Sequence, residues 1–306
     1  MQTRRTQKII LQNGIEHLRD PFILVENGVY YAYGTGIDTG SWADCVWDLY
    51  INKSGRLDGE WKHSEKPVYI NPPHAVQDHW APEVHKYKGR YYMFATYRSD
   101  LTGHHGCTIL RADSPEGPFA EITDGTITPR DWDSIDGTLY VDKAGTPWMI
   151  FVHEWTSTDD GVGRMAAAKL SEDLTHFVSE PVELFRGDAP SWAAGKITDG
   201  CFLYDTVDGN LLMLWSNFDM QGKYCVGIAH SENGKVDGTW IQEPELLFSS
   251  KMTGNCDGGH GMIFKAFDGN LYLSIHSPND PAFYKQPEKM IFVPVKEQNG
   301  TLVCEV

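Results

Sequence analysis

Residues 19–36 read RDPFILVENGVYYAYGTG. Two apolar runs flank Asn27-Gly28, a pair that suits a tight hairpin turn because both residues tolerate positive φ. An acidic residue, Asp20, stands just ahead of the first run. The same order returns four times: APEVHKYKGRYYMFATY at 81–97, IDGTLYVDKAGTPWMIFVHE at 135–154, TDGCFLYDTVDGNLLMLWSN at 198–217 and GHGMIFKAFDGNLYLSIHSP at 259–278. Each copy holds a polar residue, an apolar strand, a glycine turn (Lys88-Gly89, Ala144-Gly145, Asp208-Gly209, Asp268-Gly269) and a second, strongly apolar strand. Copies start roughly 50–65 residues apart, the spacing of propeller blades.

The segments that follow also echo one another. INKSGRLDGEW from Ile51, LRADSPEGPF from Leu110, AAKLSEDLTHF from Ala167 and IAHSENGKVDGTW from Ile228 each end on an aromatic residue. Those aromatics (Trp61, Phe119, Phe177, Trp240) are expected to pack between blades. Helical periodicity is almost absent, and the run Ala166 to Leu170 is too short for a helix. The expected fold is all-β, a five-bladed β-propeller forming a single domain over residues 1–306, because radial four-stranded sheets leave few exposed edges. A two-sheet sandwich would explain short strands and glycine turns but not the period. In blade five, GMIFKAF, NLYLSIH, KMIFVPVKE and TLVCEV supply the strands, with Asn299-Gly300 as the last turn; whether KIILQN adds another is open.

The 306 residues are 41% hydrophobic, enough for a large core. Lys and Arg number 26 against 42 Asp and Glu, a net charge of −16. That sign disfavours nucleic acid and acidic membrane surfaces and suits a neutral ligand. Most of the ten Trp and fourteen Tyr are expected in the core, with a few left for stacking on sugars. No stretch approaches a membrane span. MQTRRTQKIILQNG lacks the apolar run of a signal peptide, so the expected location is cytoplasmic, or periplasmic or secreted if an export leader has been removed. The Cys residues lie scattered with no CxxC pair and read mostly as buried thiols.

In a propeller the innermost strands all run the same way along the axis. Residues just before them therefore gather at one mouth: here Asp20, Glu83, Asp136, Asp199 and His260. Singly, each Asp suits an ordinary turn. Together, clustered carboxylates repel one another, a cost that a fold bears where it needs shifted pKa values. Glycosidic cleavage needs such a set: an ionised carboxylate to activate water, a protonated one for the leaving oxygen, and a third to keep that proton in place.

At these residues the chain resembles glycoside hydrolase family 43, whose fold is a five-bladed propeller. Arg19-Asp20-Pro21-Phe22 with Tyr30-Tyr31-Ala32-Tyr33-Gly34-Thr35 resembles its first-blade motif. Trp80-Ala81-Pro82-Glu83-Val84 with Tyr91-Tyr92-Met93-Phe94 resembles its second. Ser134-Ile135-Asp136-Gly137 resembles its third. The resemblance implies that Asp20 is the general base and that Asp136 tunes and orients the acid. The family's fourth-blade motif is usually Glu-Gly-Pro, with Glu as the acid; here Thr198-Asp199-Gly200-Cys201 stands in its place. Either the shorter Asp199 is the acid, or another residue such as Glu154 donates the proton, or the activity is lost.

Gly259-His260-Gly261 resembles the motif that holds one structural cation, often calcium, on the axis through water. The other reading of His260 is a hydrogen-bonded buried histidine, and calcium prefers oxygen ligands. His74, His104 and His105 read as loop residues, one of which could line the pocket. Trp42, Trp80 and Trp155, with Glu83 and Glu154, are the candidate sugar contacts. A long aromatic loop from Gly36 to Trp47 would wall off one end and favour removal of terminal sugars.

The resemblance thus implies an inverting, exo-acting O-glycosyl hydrolase. Its substrates would be α-L-arabinofuranosyl or β-D-xylosyl ends of plant-type oligosaccharides, with β-galactosidic linkages also found in the family. The rival reading is a non-catalytic carbohydrate-binding propeller that has lost its general acid.

Overall fold

A computed structural model describes residues 10–11, 15, 17–37, 41–254, 256–279 and 288–306. The chain forms five antiparallel sheets arranged as a five-bladed β-propeller, and successive strands step across each sheet. The innermost strands are Arg19–Glu26, Ala75–Tyr87, Ser134–Val141, Asp199–Asp205 and Gly259–Lys265. Their hairpin partners are Val29–Ile37, Arg90–Ser99, Pro147–His153, Leu211–Phe218 and Leu271–Ser277. These ten strands are the recurring apolar pairs of the sequence. The turn chemistry holds as well: Asn27-Gly28, Lys88-Gly89 and Asn299-Gly300 have positive φ at both residues, as a two-residue primed turn requires.

The open question at the N-terminus is resolved. Ile10–Leu11 pairs antiparallel with Ile291 and Phe292 of the third strand of blade five, Lys289–Gln298. Thr301–Cys304 pairs farther along the same strand. Helix is limited among the described residues to two 3₁₀ turns, Trp42–Asp44 and Ser250–Thr253; residues 166–169 are strand. No helix among the described residues is long and apolar enough to cross a membrane.

The apolar faces meet between blades. Trp61 is 1% exposed, with its ring 6.1 Å from Phe292 of blade five. Phe119 of blade two meets Tyr33 of blade one edge-on, and Trp240 of blade four meets Phe185 of blade three. Phe177 instead stacks on Phe151 of its own blade. Cys45, Cys107, Cys201 and Cys225 are buried free thiols, while Cys256 is exposed.

One backbone feature positions the site. Every innermost strand carries a bulge near its start, where the pairing slips between Arg19 and Phe22, Trp80 and Glu83, Ile135 and Thr138, Asp199 and Phe202, and Gly259 and Met262. In each, one residue is left-handed: Asp20 (φ 52°), Ala81 (43°), Asp136 (57°), Gly200 (51°) and His260 (50°). Bulges of this kind bend the strand and re-aim a side chain. Positive φ is costly for any residue but glycine, so four non-glycine residues there mark a place the rest of the fold must hold.

Candidate active site

The five left-handed residues define the true equivalence among blades, and it corrects one expectation. Asp20, Asp136 and His260 share a position, but blades two and four hold Ala81 and Gly200 there. Asp199 stands one residue earlier and Glu83 two residues later. At a bulge the usual alternation of side chains is broken, so the offset in sequence does not by itself decide which residues face the axis.

Glu83 is buried, accepts from His85 Nε2 at 3.1 Å, and is absent from the lining of the axial cavity. As a sugar contact it is therefore misplaced. The other candidates, Asp20, Trp42, Trp80, Asp136, Glu154, Trp155, Asp199 and His260, all line one cavity of 450 Å³. A larger groove of 570 Å³ on blade one is lined by Lys53, Glu60, Lys62 and Glu65 among others. It has no cluster of buried acids.

A belt of hydrogen bonds holds the left-handed residues, each peptide N–H donating to a side chain of the preceding blade. Asp20 N donates to His276 Nδ1 (3.3 Å), Ala81 N to Thr35 Oγ1 (2.8 Å), Asp136 N to Thr96 Oγ1 (2.9 Å) and His260 N to Ser216 Oγ (2.8 Å). At the equivalent place blade three has Val152, which cannot accept. There Gly200 N donates to Asp136 Oδ2 at 2.8 Å. The third-blade carboxylate thus holds the peptide next to Asp199.

The carboxyls are charged unequally. Asp20 is buried, which alone would raise its pKa. The charges of His260 and Arg19 and a bond from Thr35 outweigh burial and hold it at about 2. His260 Nδ1 lies 3.2 Å from Asp20 Oδ1 and 3.7 Å from Asp136 Oδ2. Burial pushes Asp136 up to about 6, with His260 opposing and Asp20 adding. Asp199 goes up to about 7, through burial first and the Asp136 charge second. Tyr224 OH donates to Asp199 Oδ2 at 3.0 Å, which leaves Oδ1 to carry the proton. Near neutral pH the site therefore pairs an ionised carboxylate with a protonatable one, the division of labour that acid–base cleavage needs.

A raised carboxyl pKa has a stability consequence. The folded protein keeps a proton that the unfolded chain has already released. Stability therefore falls as pH rises from the ordinary aspartate value of 3.8 through about 7. Asp199→Asn removes that penalty, so urea unfolding should show the variant ~1–3 kcal/mol more stable at pH 8 and no more stable at pH 3.5. A variant destabilised at pH 8 would contradict the assignment.

Several site residues carry no sequence signal. His105 is one of the histidines read as loop residues. Its Nε2 meets Asp78 Oδ2 and its Nδ1 meets Glu154 Oε2, both at 3.1 Å. Burial lowers its pKa, but those two bonds prevail and push it up to about 9. Its ring packs 4.5 Å from that of Trp80, which meets Trp42 edge-on at 6.0 Å. Arg19 lies over Trp42 at 4.7 Å and is bonded to Glu288 and Asn279. The aromatic wall thus rests on buried charges. The loop expected from Gly36 to Trp47 is shorter than its sequence suggests, since Val29–Ile37 and Cys45–Asn52 are strands; residues 38–40 lie outside the described residues. Trp47 is 1% exposed, its indole N–H donating to Trp80 O.

For the expected axial ion, His260 has turned Nδ1 toward the two carboxylates, so only Nε2 could face a cation. Among the described residues, the group of three ligand-type side chains within 4.8 Å of one another is His105, Asp133 and Glu154, without His260. A calcium at His260 would have to draw its oxygen ligands largely from water.

A propeller whose axial mouth combines an ionised carboxylate, a protonatable carboxyl and tryptophan walls has the architecture of a carbohydrate-cleaving enzyme. The chain belongs to glycosyl hydrolases family 43, whose model matches residues 12–302. A solved endo-arabinase from Bacteroides thetaiotaomicron VPI-5482 is 37% identical with a TM-score of 0.80, covering 96% of this chain and 100% of that one. The extracellular endo-alpha-(1->5)-L-arabinanase 1 of Bacillus subtilis is 27% identical over 154 residues, 46% of this chain and 45% of the relative. The xylosidase/arabinosidase 43A of Humicola insolens is 26% identical over 209 residues, 54% of this chain and 60% of the relative. The chain thus spans about half the length of the curated relatives it matches.

Proposed function

We propose that this protein is an inverting glycoside hydrolase acting on α-L-arabinofuranosyl linkages in preference to β-D-xylosyl ones, and releasing terminal sugars. The observation that carries the hydrolase reading is that Asp20, beside His260, and Asp199, buried with Tyr224 and Asp136 around it, face one cavity, an arrangement that lowers the pKa of the first and raises that of the second. Asp20 takes a proton from water, Asp199 gives one to the leaving oxygen, and Asp136 holds the Asp199–Gly200 backbone and supplies repelling charge. Glu154 lies in the ion-pair cluster around His105, a setting for accepting a sugar hydroxyl. Preference for arabinofuranosyl substrates follows the names of the relatives at 37% and 27% identity. Terminal cleavage is the reading in which Trp42 and Trp155, which line the cavity, limit it to a chain end.

The test is hydrolysis of linear α-1,5-arabinan, an aryl α-L-arabinofuranoside and an aryl β-D-xyloside, with product size followed from the first minutes. Arabinose as the first product supports the proposal. A ladder of oligosaccharides would replace terminal with internal cleavage. Binding without turnover of any of the three would favour a non-catalytic carbohydrate-binding propeller, the reading suggested by Asp199 standing where the family usually has Glu. An axial cation at His260 is part of the same proposal, and metal analysis of the same preparation checks it.

A further inference from the structure

We propose that Thr35 is the positioning residue of Asp20, fixing the rotation of the base and tying it to the Trp80 wall through one hydrogen-bond chain. The proposal rests on the reading of Asp20 as general base.

Thr35 is fully buried on the second strand of blade one. Its Oγ1 lies 2.8 Å from Ala81 N and 2.7 Å from Asp20 Oδ2. A peptide N–H can only donate, so Oγ1 accepts from Ala81. The hydroxyl has one hydrogen, and the ionised carboxylate can only accept it. The direction of both bonds is thus set by chemistry, which is not true of most hydroxyl groups.

Thr96 and Ser216 make the matching belt bonds in blades two and four. Among the described residues, Thr35 is the one of the three whose hydroxyl also reaches a carboxylate. The other oxygen of Asp20, Oδ1, faces His260 Nδ1 at 3.2 Å. With Oδ2 held by Thr35, the carboxylate is pinned at both oxygens. A general base must aim a lone pair at water in line with the sugar, and small rotations are expensive in rate. Ala81 follows Trp80 directly, so one hydroxyl holds both the backbone that carries the Trp80 wall and the Asp20 carboxylate.

Thr35→Val removes both bonds at nearly constant volume, and Thr35→Ser keeps both. On an aryl α-L-arabinofuranoside, Thr35→Val should lower kcat ~10–100-fold with KM little changed, and Thr35→Ser should restore most of the loss. In an Asp20→Asn background, Thr35→Val should cost little further, because the group it positions is gone. Melting temperatures separate this effect from loss of fold. The proposal is overturned if Thr35→Val keeps kcat within about threefold, or if its loss is undiminished in the Asp20→Asn background. It is also overturned if Thr35→Val and Thr35→Ala fail to fold while Thr35→Ser folds, since the hydroxyl then serves the fold. An active Asp20→Asn enzyme would sink the base reading itself; an inactive one with a fully active Thr35→Val would sink only this proposal.

Discussion

Asp20→Asn lowers kcat/KM by ~10²–10⁴ on every glycoside the protein cleaves, whatever the leaving group. Water is the nucleophile in each case, so no choice of aglycone bypasses the base. The carboxylate is ready for that role because His260 and Arg19 outweigh its burial and keep it ionised at any pH well above 2. The amide is isosteric and can still accept from Thr35, so the fold should survive. Steady-state rates on arabinan and on an activated aryl glycoside, with unfolding curves alongside, make the check. A loss confined to the natural substrate would point to a role in leaving-group departure instead.

The second large effect separates the two candidate acids. Asp199→Asn should cost ~10²–10⁴ on arabinan and far less on an aryl glycoside whose leaving group departs without protonation. It should also abolish the basic limb of kcat/KM, which in the wild type is expected to be set by the raised pKa of Asp199. Glu154→Gln should show neither signature. Its carboxylate is bonded to His105, so the variant should weaken binding more than turnover. If Glu154→Gln carries the leaving-group dependence and Asp199→Asn does not, the acid assignment is reversed. Proton NMR of the first-formed sugar checks the stereochemistry: a retained anomeric configuration would remove the inverting scheme altogether.

Two replacements on one cavity can also be compared by what they do to the fold. Asp199→Asn relieves a strained proton balance and should stabilise at alkaline pH. Asp20→Asn gives up a carboxylate whose charge the surroundings favour. A residue that destabilises its own fold is expected where function sets the environment.

How much of this was legible in the chain depends on how local each signal is. Hairpins such as 19–36 announce themselves, because a period of two and a glycine turn are written in consecutive residues. Five such hairpins at a steady spacing fix the propeller. Asp20, Asp136 and His260 stand out because a polar residue opens an otherwise apolar strand. The place of Glu83 was misjudged because it stands two residues past Ala81, which holds the left-handed position in its blade, and an offset within a bulge leaves no mark in the periodicity. The short strand Ile10–Leu11 gave too brief a pattern to read.

The sequence by itself therefore determined the blades, their number and the carboxylates that open the innermost strands. Only the tertiary structure decided which of those carboxylates is ionised, which keeps its proton and what holds them. Thr35 meets Ala81 across 46 residues, Asp136 meets Gly200 across 64, and Asp20 meets His276 across 256. The His105 clamp on Asp78 and Glu154 likewise joins blade two to blade three. Secondary structure follows from interactions within a few residues, which a linear reading can see. The charge state of a buried carboxyl follows from desolvation and from charges a few ångströms away, and those neighbours are chosen by the closing of the ring.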